Sequence, residues 1–226
     1  MKTNQIAAVL IALVTLQSCK KKDTIVDEKP PMKLLTRVIF AIENRAIYEY
    51  YTYDDKHRLK SANVSELTTY TYSNGDLATI EGPRFKFDFT YKSGKIIQAI
   101  GKENGRNLVY GYVYVGNDLS QIHINENGVV VEKWTYTIVN HNITKIVQES
   151  GEGIFITDFT YGSHKNKFFH AGLSQIIGIE TIDRYSVNDL LETKRTAPDG
   201  SFVKTTDSYV YDEEGLPVTS TSTVVL

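Results

Sequence analysis

One cysteine, Cys19, is all the chain has in 226 residues, so no intramolecular disulfide is possible. With no second thiol and no HExxH among the five histidines, no zinc-ligand spacing is present and no metal site is expected. A GxSxG elbow, a phosphate-binding loop and a dinucleotide fingerprint are also missing, so neither an enzyme nor a bound cofactor is expected. A formal net charge of −2 gives no concentrated basic face, and no nucleic-acid partner is expected. Tryptophan occurs once, at Trp134, and no long amphipathic helical pattern is visible. The longest uncharged apolar run, Ile6 to Leu16, has 11 residues. A membrane-spanning helix needs about 20.

That short run has another reading. Lys2 provides a positive start, Ile6 to Leu16 suits the apolar region of an export signal, and Leu16-Gln17-Ser18-Cys19 closes it. The closing tetrad resembles the lipobox of bacterial lipoproteins. The resemblance implies diacylglycerol on the Cys19 thiol and cleavage before Cys19, giving a signal peptide over 1–18, a lipidated tether over 19–33 and one domain over 34–226. The thiol sits between an apolar leader and Lys20-Lys21-Lys22, where burial in a core makes no sense. Each buried methylene contributes about 0.8 kcal/mol, and stable anchoring takes more than one chain, a condition that diacylation meets. The tether KKKDTIVDEKPPMK is charged and ends near Pro30-Pro31. It reads as a solvated spacer, or as one whose lysines also contact anionic head groups. The expected location is the outer membrane, through the lipid anchor. Asp23, Asp27 and Glu28 lie scattered behind the cysteine and leave the periplasmic and cell-surface sides both open.

Losing residues 1–18 removes one lysine, moves the net charge to −3 and leaves 208 residues, enough for one domain with a real core. What that domain has in quantity is tyrosine, 15 of them, with nine phenylalanines. They are written into seven related units: YYTYDDKHRLKSA from Tyr50, TYTYSNGDLATI from Thr69, DFTYKSGKIIQAI from Asp88, YVYVGNDLSQI from Tyr112, WTYTIVNHNITKI from Trp134, DFTYGSHKNKFF from Asp158 and YVYDEEGLPV from Tyr209. The scheme is aromatic-x-Tyr, a few turn residues, then Leu or Ile. Residues two apart share one face of a strand, as Phe85, Phe87, Phe89 and Tyr91 do. Asn74-Gly75, Ser93-Gly94 and Gly116-Asn117 supply reversals, and Asn104-Gly105, Asn127-Gly128 and Asp199-Gly200 supply the turns between units. The expected fold class is all-β: an antiparallel meander of repeated hairpins, strongly curved or barrel-like, with aromatics inside. A short irregular or helical segment from His164 to Asn188 is expected to cover or plug it, and Thr219 to Leu226 to form an edge or closing strand.

Tyr53-Asp54 with Arg58-Leu59, and Tyr211-Asp212 with Gly215-Leu216, resemble divergent YD (Rhs-type) repeats. Over about residues 35–226 the chain resembles Bacteroidetes lipoproteins of the DUF4595 type, which combine a lipobox with a ladder of tyrosine units. The resemblance implies an envelope location and a β fold, and no known chemistry.

The remaining candidates are weak as chemistry. His57 and His141 fall in turns, and His123 alternates with Ile122 and Ile124 on a polar face. His164 and His170 flank the irregular segment near Asp158. Asp54-Asp55 and Asp212-Glu213-Glu214 sit at turns, where aspartate accepts backbone hydrogen bonds. Two function classes follow. One is a non-enzymatic structural or interaction module of the cell envelope. The other is a glycan- or peptide-binding lipoprotein whose ligand face would comprise Phe87, Phe89, Tyr91, Tyr112, Tyr114, Trp134 and Tyr136. Rings and phenol hydroxyls suit sugar stacking, but a row running through nearly every unit also suits a core.

Overall fold

The computed structural model describes residues 6–11, 34–42, 45–63, 66–166 and 186–225. The segment from 167 to 185, which holds most of the expected covering segment together with His170, lies outside them, as do Cys19 and the tether to 33. The described chain is strand and turn throughout. After β1 (Ile6–Ile11) come β2 (Arg37–Ile42), β3 (Arg45–Tyr53), β4 (Leu59–Asn63), β5 (Leu67–Ser73), β6 (Asp76–Gly82), β7 (Phe85–Lys92) and β8 (Lys95–Glu103). β9 (Arg106–Val115), β10 (Asp118–Glu126), β11 (Val129–Val139), β12 (Asn142–Ser150), β13 (Gly153–Lys165), β14 (Asn188–Thr196), β15 (Phe202–Tyr211) and β16 (Pro217–Val225) complete it.

From β2 to β16 each strand pairs antiparallel with the next, so the all-β meander is as the repeat implies. These fifteen strands do not close on themselves: β2 and β16 are not partners. Between them lies β1, antiparallel to both, and with it the ring is a closed barrel. Part of the run read as a leader is therefore extended and fills the seam.

Six of the seven units are hairpins, whereas the unit from Asp158 supplies only part of β13, its return strand β14 starting at Asn188 beyond the unit; all seven hairpins from β3–β4 to β15–β16 carry the same irregularity. The register slips by one residue at Lys60, Ala78, Ile97, Ser120, Thr144, Leu191 and Val218. A bulge bends and twists a strand, and repeating it at one level curls a flat meander into a ring. Opposite the residue before the bulge stand Tyr53, Tyr72, Tyr91, Tyr114, Ile138, Tyr161 and Tyr211: six tyrosines and one isoleucine.

The hydroxyls explain why the repeat uses tyrosine. Tyr72 donates to the carbonyl of Leu59 at 2.9 Å, and Tyr161 to that of Ile143 at 2.6 Å. In both cases the acceptor is the residue before the bulge in the preceding hairpin. Tyr91 is directed at Leu77, the same position again, without completing a hydrogen bond. In the last unit Tyr209 takes over and donates to Leu190 at 2.8 Å. The phenols thus tie one repeat to the next at backbone that the bulge disturbs. Tyr72→Phe is expected to cost about 1 kcal/mol in urea unfolding, and Tyr161→Phe about 1–3 kcal/mol, since Ser186 Oγ also donates to the Tyr161 hydroxyl at 2.8 Å.

The turns account for where aspartate follows tyrosine. Ser73 pairs with Asp76 and Val139 with Asn142, leaving two-residue reversals. Asn74 and Gly75 (φ 52° and 95°), and likewise Asn140 and His141 (50° and 62°), take the left-handed conformation such turns require. The first and last units have longer turns, and there the aspartate organises the loop. Asp54 Oδ1 accepts from the amides of Lys56 and Arg58, and Asp212 Oδ1 from those of Glu214 and Leu216, all at 2.9 Å. Partial desolvation pushes the Asp54 carboxyl up, but the Arg58 side chain and these amides outweigh it and hold it below its usual range. These carboxylates are turn residues.

Two faces result. The inner face is the core. Leu59, Ile80, Phe87, Ile122 and Ile143 are fully buried, and Tyr110 meets Phe87 edge-on at 5.1 Å. The outer face carries charge in mid-strand. Lys133 faces Glu149 at 2.6 Å, Lys145 faces Asp158 at 3.4 Å, and Lys86 faces Glu81 at 3.2 Å. Such exposed pairs each contribute at most about 1 kcal/mol. Their importance lies in what they say about the surroundings.

Candidate functional site

Two inward-facing polar clusters interrupt the core, one at each end of the barrel. At the end bearing the bulges, β13, β14 and β15 hold Asp189, buried to 3% exposure. Its carboxylate accepts from the Tyr211 hydroxyl and from the His164 amide at 3.0 Å. Burial first, and the hydrogen bond to Asp189 next, raise the Tyr211 phenol well above its ordinary value. The His164 ring stacks on Tyr211, with centroids 3.8 Å apart. Alongside, Asn142 and Asn188 exchange two hydrogen bonds at 2.8 and 3.0 Å, and Ser186 Oγ accepts from the Ile143 amide at 3.1 Å. This cluster fixes the two points where the chain leaves for and returns from residues 167–185. Asp189, Tyr211, Asn142, Asn188 and Ser186 are hydrogen-bonded to one another or to nearby backbone, so the cluster reads as an anchor. His164 is held there and is not brought to Asp158, which pairs with Lys145 on the outer face. Gly162 belongs to the anchor by its lack of a side chain: a Cβ would lie 2.6 Å from both Asp189 carboxylate oxygens.

The second cluster lies at the opposite end. Glu132 and Trp134 lie two apart on β11, and the β11–β12 register sets Trp134 against Gln148. Glu132 Oε1 accepts from the Trp134 indole and from Gln148 Nε2 at 2.6 Å. Gln148 Oε1 accepts from the exposed guanidinium of Arg195 at 3.2 Å, and that guanidinium lies 4.8 Å over the Phe155 ring. A half-buried indole, a carboxylate, an amide and an exposed guanidinium over a ring therefore share one inner mouth. This set can stack an apolar face and hydrogen-bond a polar rim. Neighbouring it, Arg106 binds Glu126 through two hydrogen bonds at 3.0 and 2.7 Å, which hold Glu126 below the usual carboxylate range.

The sequence-derived ligand face divides here. Phe87, Tyr112 and Tyr136 are core, at 0%, 8% and 6% exposure, whereas Phe89, Tyr91, Tyr114 and Trp134 are half-buried and pack against it. No outward row of rings exists among them. Trp134 meets a polar cluster at a mouth. Glu132, Gln148 and Arg195 escaped the sequence reading because three strands must be in register to join them, although Glu132 at two residues before Trp134 was visible as a same-face neighbour. His57 and His141 lie in turns, and His123 lies on the outer face, its Nε2 3.0 Å from Gln121 Oε1. Among the described residues no group of three His, Cys, Asp or Glu side chains could hold a metal ion.

Comparison with known proteins yields fold alone. No protein-family model matches the chain, and no curated protein does. Among solved structures, the chain is similar to a porin-like protein from Bacteroides uniformis ATCC 8492, with 14% identity, TM-score 0.58, and 99% of this chain and 95% of that one covered. It is also similar to a porin-like protein from Bacteroides vulgatus ATCC 8482, with 13% identity, TM-score 0.55, and 84% and 97% covered. The class defined is an all-β antiparallel barrel-like meander of porin-like fold.

Proposed function

We propose that the chain is a bacterial lipoprotein of the DUF4595 type, anchored at the outer membrane through Cys19, whose β domain is a non-enzymatic interaction module standing in water. The observation that carries this reading is the polarity of the two faces. A lipid-spanning barrel needs an outward apolar band and a polar interior. Here Lys133, Lys145 and Asp158 lie outward within their strands, with Glu149 facing Lys133, while Phe87, Ile122 and Ile143 lie inward. Each outward lysine at a bilayer midplane would cost about 2–4 kcal/mol. These outward charges favour water, and the lipid on Cys19 supplies membrane affinity.

The test is Cys19→Ala. Radiolabelled fatty acid is expected to disappear from the protein, and the chain to leave the membrane fraction. Unchanged labelling would refute the anchor, and a label-free chain still integral to the membrane would refute the water-facing wall.

A second reading, a glycan- or peptide-binding lipoprotein, is favoured by the Trp134–Glu132–Gln148–Arg195 mouth. On a glycan array with parallel peptide pull-down, saturable binding by the processed chain is expected to fall at least about tenfold with Trp134→Ala, a loss of about 1.4 kcal/mol. Tyr91→Ala, which alters the core ladder, serves as the comparison. Binding indifferent to Trp134 would exclude this mouth.

A further inference from the structure

The seam between β2 and β16 is the width of one strand. β1 lies in it with Ile6 opposite Val224, Val9 opposite Thr221 and Leu10 opposite Ser220 on one side, and with Val9 opposite Ala41 and Ile11 opposite Ile39 on the other. Since β1 is antiparallel to both neighbours, β2 and β16 run parallel to each other and stand two strand spacings apart, about 10 Å.

Cleavage before Cys19 takes this strand away. Where β1 pairs with them, the two edges it uncovers are unprotected: the stretches Ile39–Ala41 and Ser220–Val224 contain no lysine, no other charge and no proline. Direct pairing of β2 with β16 would have to be parallel, and would require the ring to lose one strand's circumference. Strand number, tilt and stagger are linked in a barrel, so every bulge-set register would have to adjust. An antiparallel strand entering from outside disturbs none of them.

We infer that in the processed lipoprotein the β2–β16 slot receives an extended, uncharged segment of a partner protein, about six residues of aliphatic and β-branched type, as the sixteenth strand. This rests on the leader reading of residues 1–18. The occupant's chemistry is that of the segment now seated there, Ile-Ala-Ala-Val-Leu-Ile. Main-chain hydrogen bonds to both edges supply affinity, and the uncharged edges exclude segments with charge in mid-strand.

The test uses the lipidated, processed chain carrying Ala41→Cys and Thr221→Cys. Its lipidated Cys19 has no free thiol, so the two introduced residues alone react. The mass of the chain first reports whether residues 1–18 are gone; a retained leader overturns the inference together with the leader reading. In the processed chain, a bis-maleimide of about 10 Å reach is expected to join the two positions, while mild oxidation leaves them as thiols. A biotinylated peptide of sequence QIAAVLIA, flanked by solubilising lysines, is expected to be retained saturably and to block the cross-link. The same peptide with lysine in place of its central valine should bind at least about tenfold more weakly. A direct disulfide between the two positions would show β2 and β16 paired, and a cross-link between two copies would show the slot filled by self-association. Either result, or failure to retain the peptide, overturns the inference while leaving the anchor intact.

Discussion

Alkaline titration is expected to unfold this barrel cooperatively, within about one to three pH units above the pKa of a free phenol. Tyr110, Tyr112 and Tyr136 are all buried, and burial is the leading reason that each phenol is pushed above its ordinary value of 10.0. Burial also pushes Tyr72 and Tyr91 up to about 12. Below pH 10 both folded and unfolded chains hold these protons, and nothing is lost. Above it the unfolded chain releases them and the folded chain does not, so stability falls as pH rises. Each group contributes about 1.4 kcal/mol per pH unit, so the three deepest together remove about 4 kcal/mol per unit. Against a typical total of about 5–15 kcal/mol, that suffices. Phenolate absorbance and the circular dichroism of the sheet should therefore change together. Tyr112 and Tyr136 also have hydroxyls without a hydrogen-bond partner, so phenylalanine at either position should be neutral or stabilising at pH 7 and should raise the alkaline midpoint. Fifteen phenols titrating near pH 10 with the sheet intact would mean that the aromatic face is not the core.

The sequence made the meander legible because a strand's period of two is written directly in Phe85, Phe87, Phe89 and Tyr91, and because Asn74-Gly75 and its counterparts punctuate it. The bulges were not legible. Their residues range from Lys60 and Ser120 to Ile97 and Leu191, because a bulge is a fact about two strands in register and makes little demand on the extra side chain. For the same reason the tyrosine hydroxyls could be read as sugar ligands or as core. Only the positions of the Leu59 and Ile143 carbonyls show that they bind the neighbouring repeat. The seam strand was hidden differently: an apolar run such as Ile6 to Leu16 satisfies an export signal and a β-strand alike. Trp134 was picked out by its ring, while the carboxylate and guanidinium that give its mouth chemistry come from Glu132 and, in the next hairpin, Arg195.

Gly101→Ala is expected to abolish folding of the domain, the largest effect of a methyl added at any glycine among the described residues. Gly101 lies on β8 opposite Phe87 of β7, with its side-chain direction toward the core. A Cβ there would lie 1.8 Å from the Lys86 carbonyl oxygen and 2.7 Å from Cδ1 of the Phe87 ring. The ring has no room to rotate away, because Phe87 is fully buried and abuts Tyr110. The carbonyl cannot retreat at all without moving β7, and β7 joins the two halves of the core, since Phe85 and Phe89 pack on both. Ordinary overpacking costs about 1–3 kcal/mol because side chains give way. Here the obstacle is backbone fixed in a ladder, so the cost should exceed that range and consume most of a typical domain's stability. Gly111→Ala is the matched comparison: it sits on the adjacent β9, and its nearest neighbour to a new Cβ is the His123 carbonyl oxygen at 3.9 Å, an ordinary contact. It should fold, with a urea midpoint close to that of the parent. A Gly101→Ala protein as stable as Gly111→Ala would mean that β7 and β8 do not approach in this register, and with that the shared core would fail.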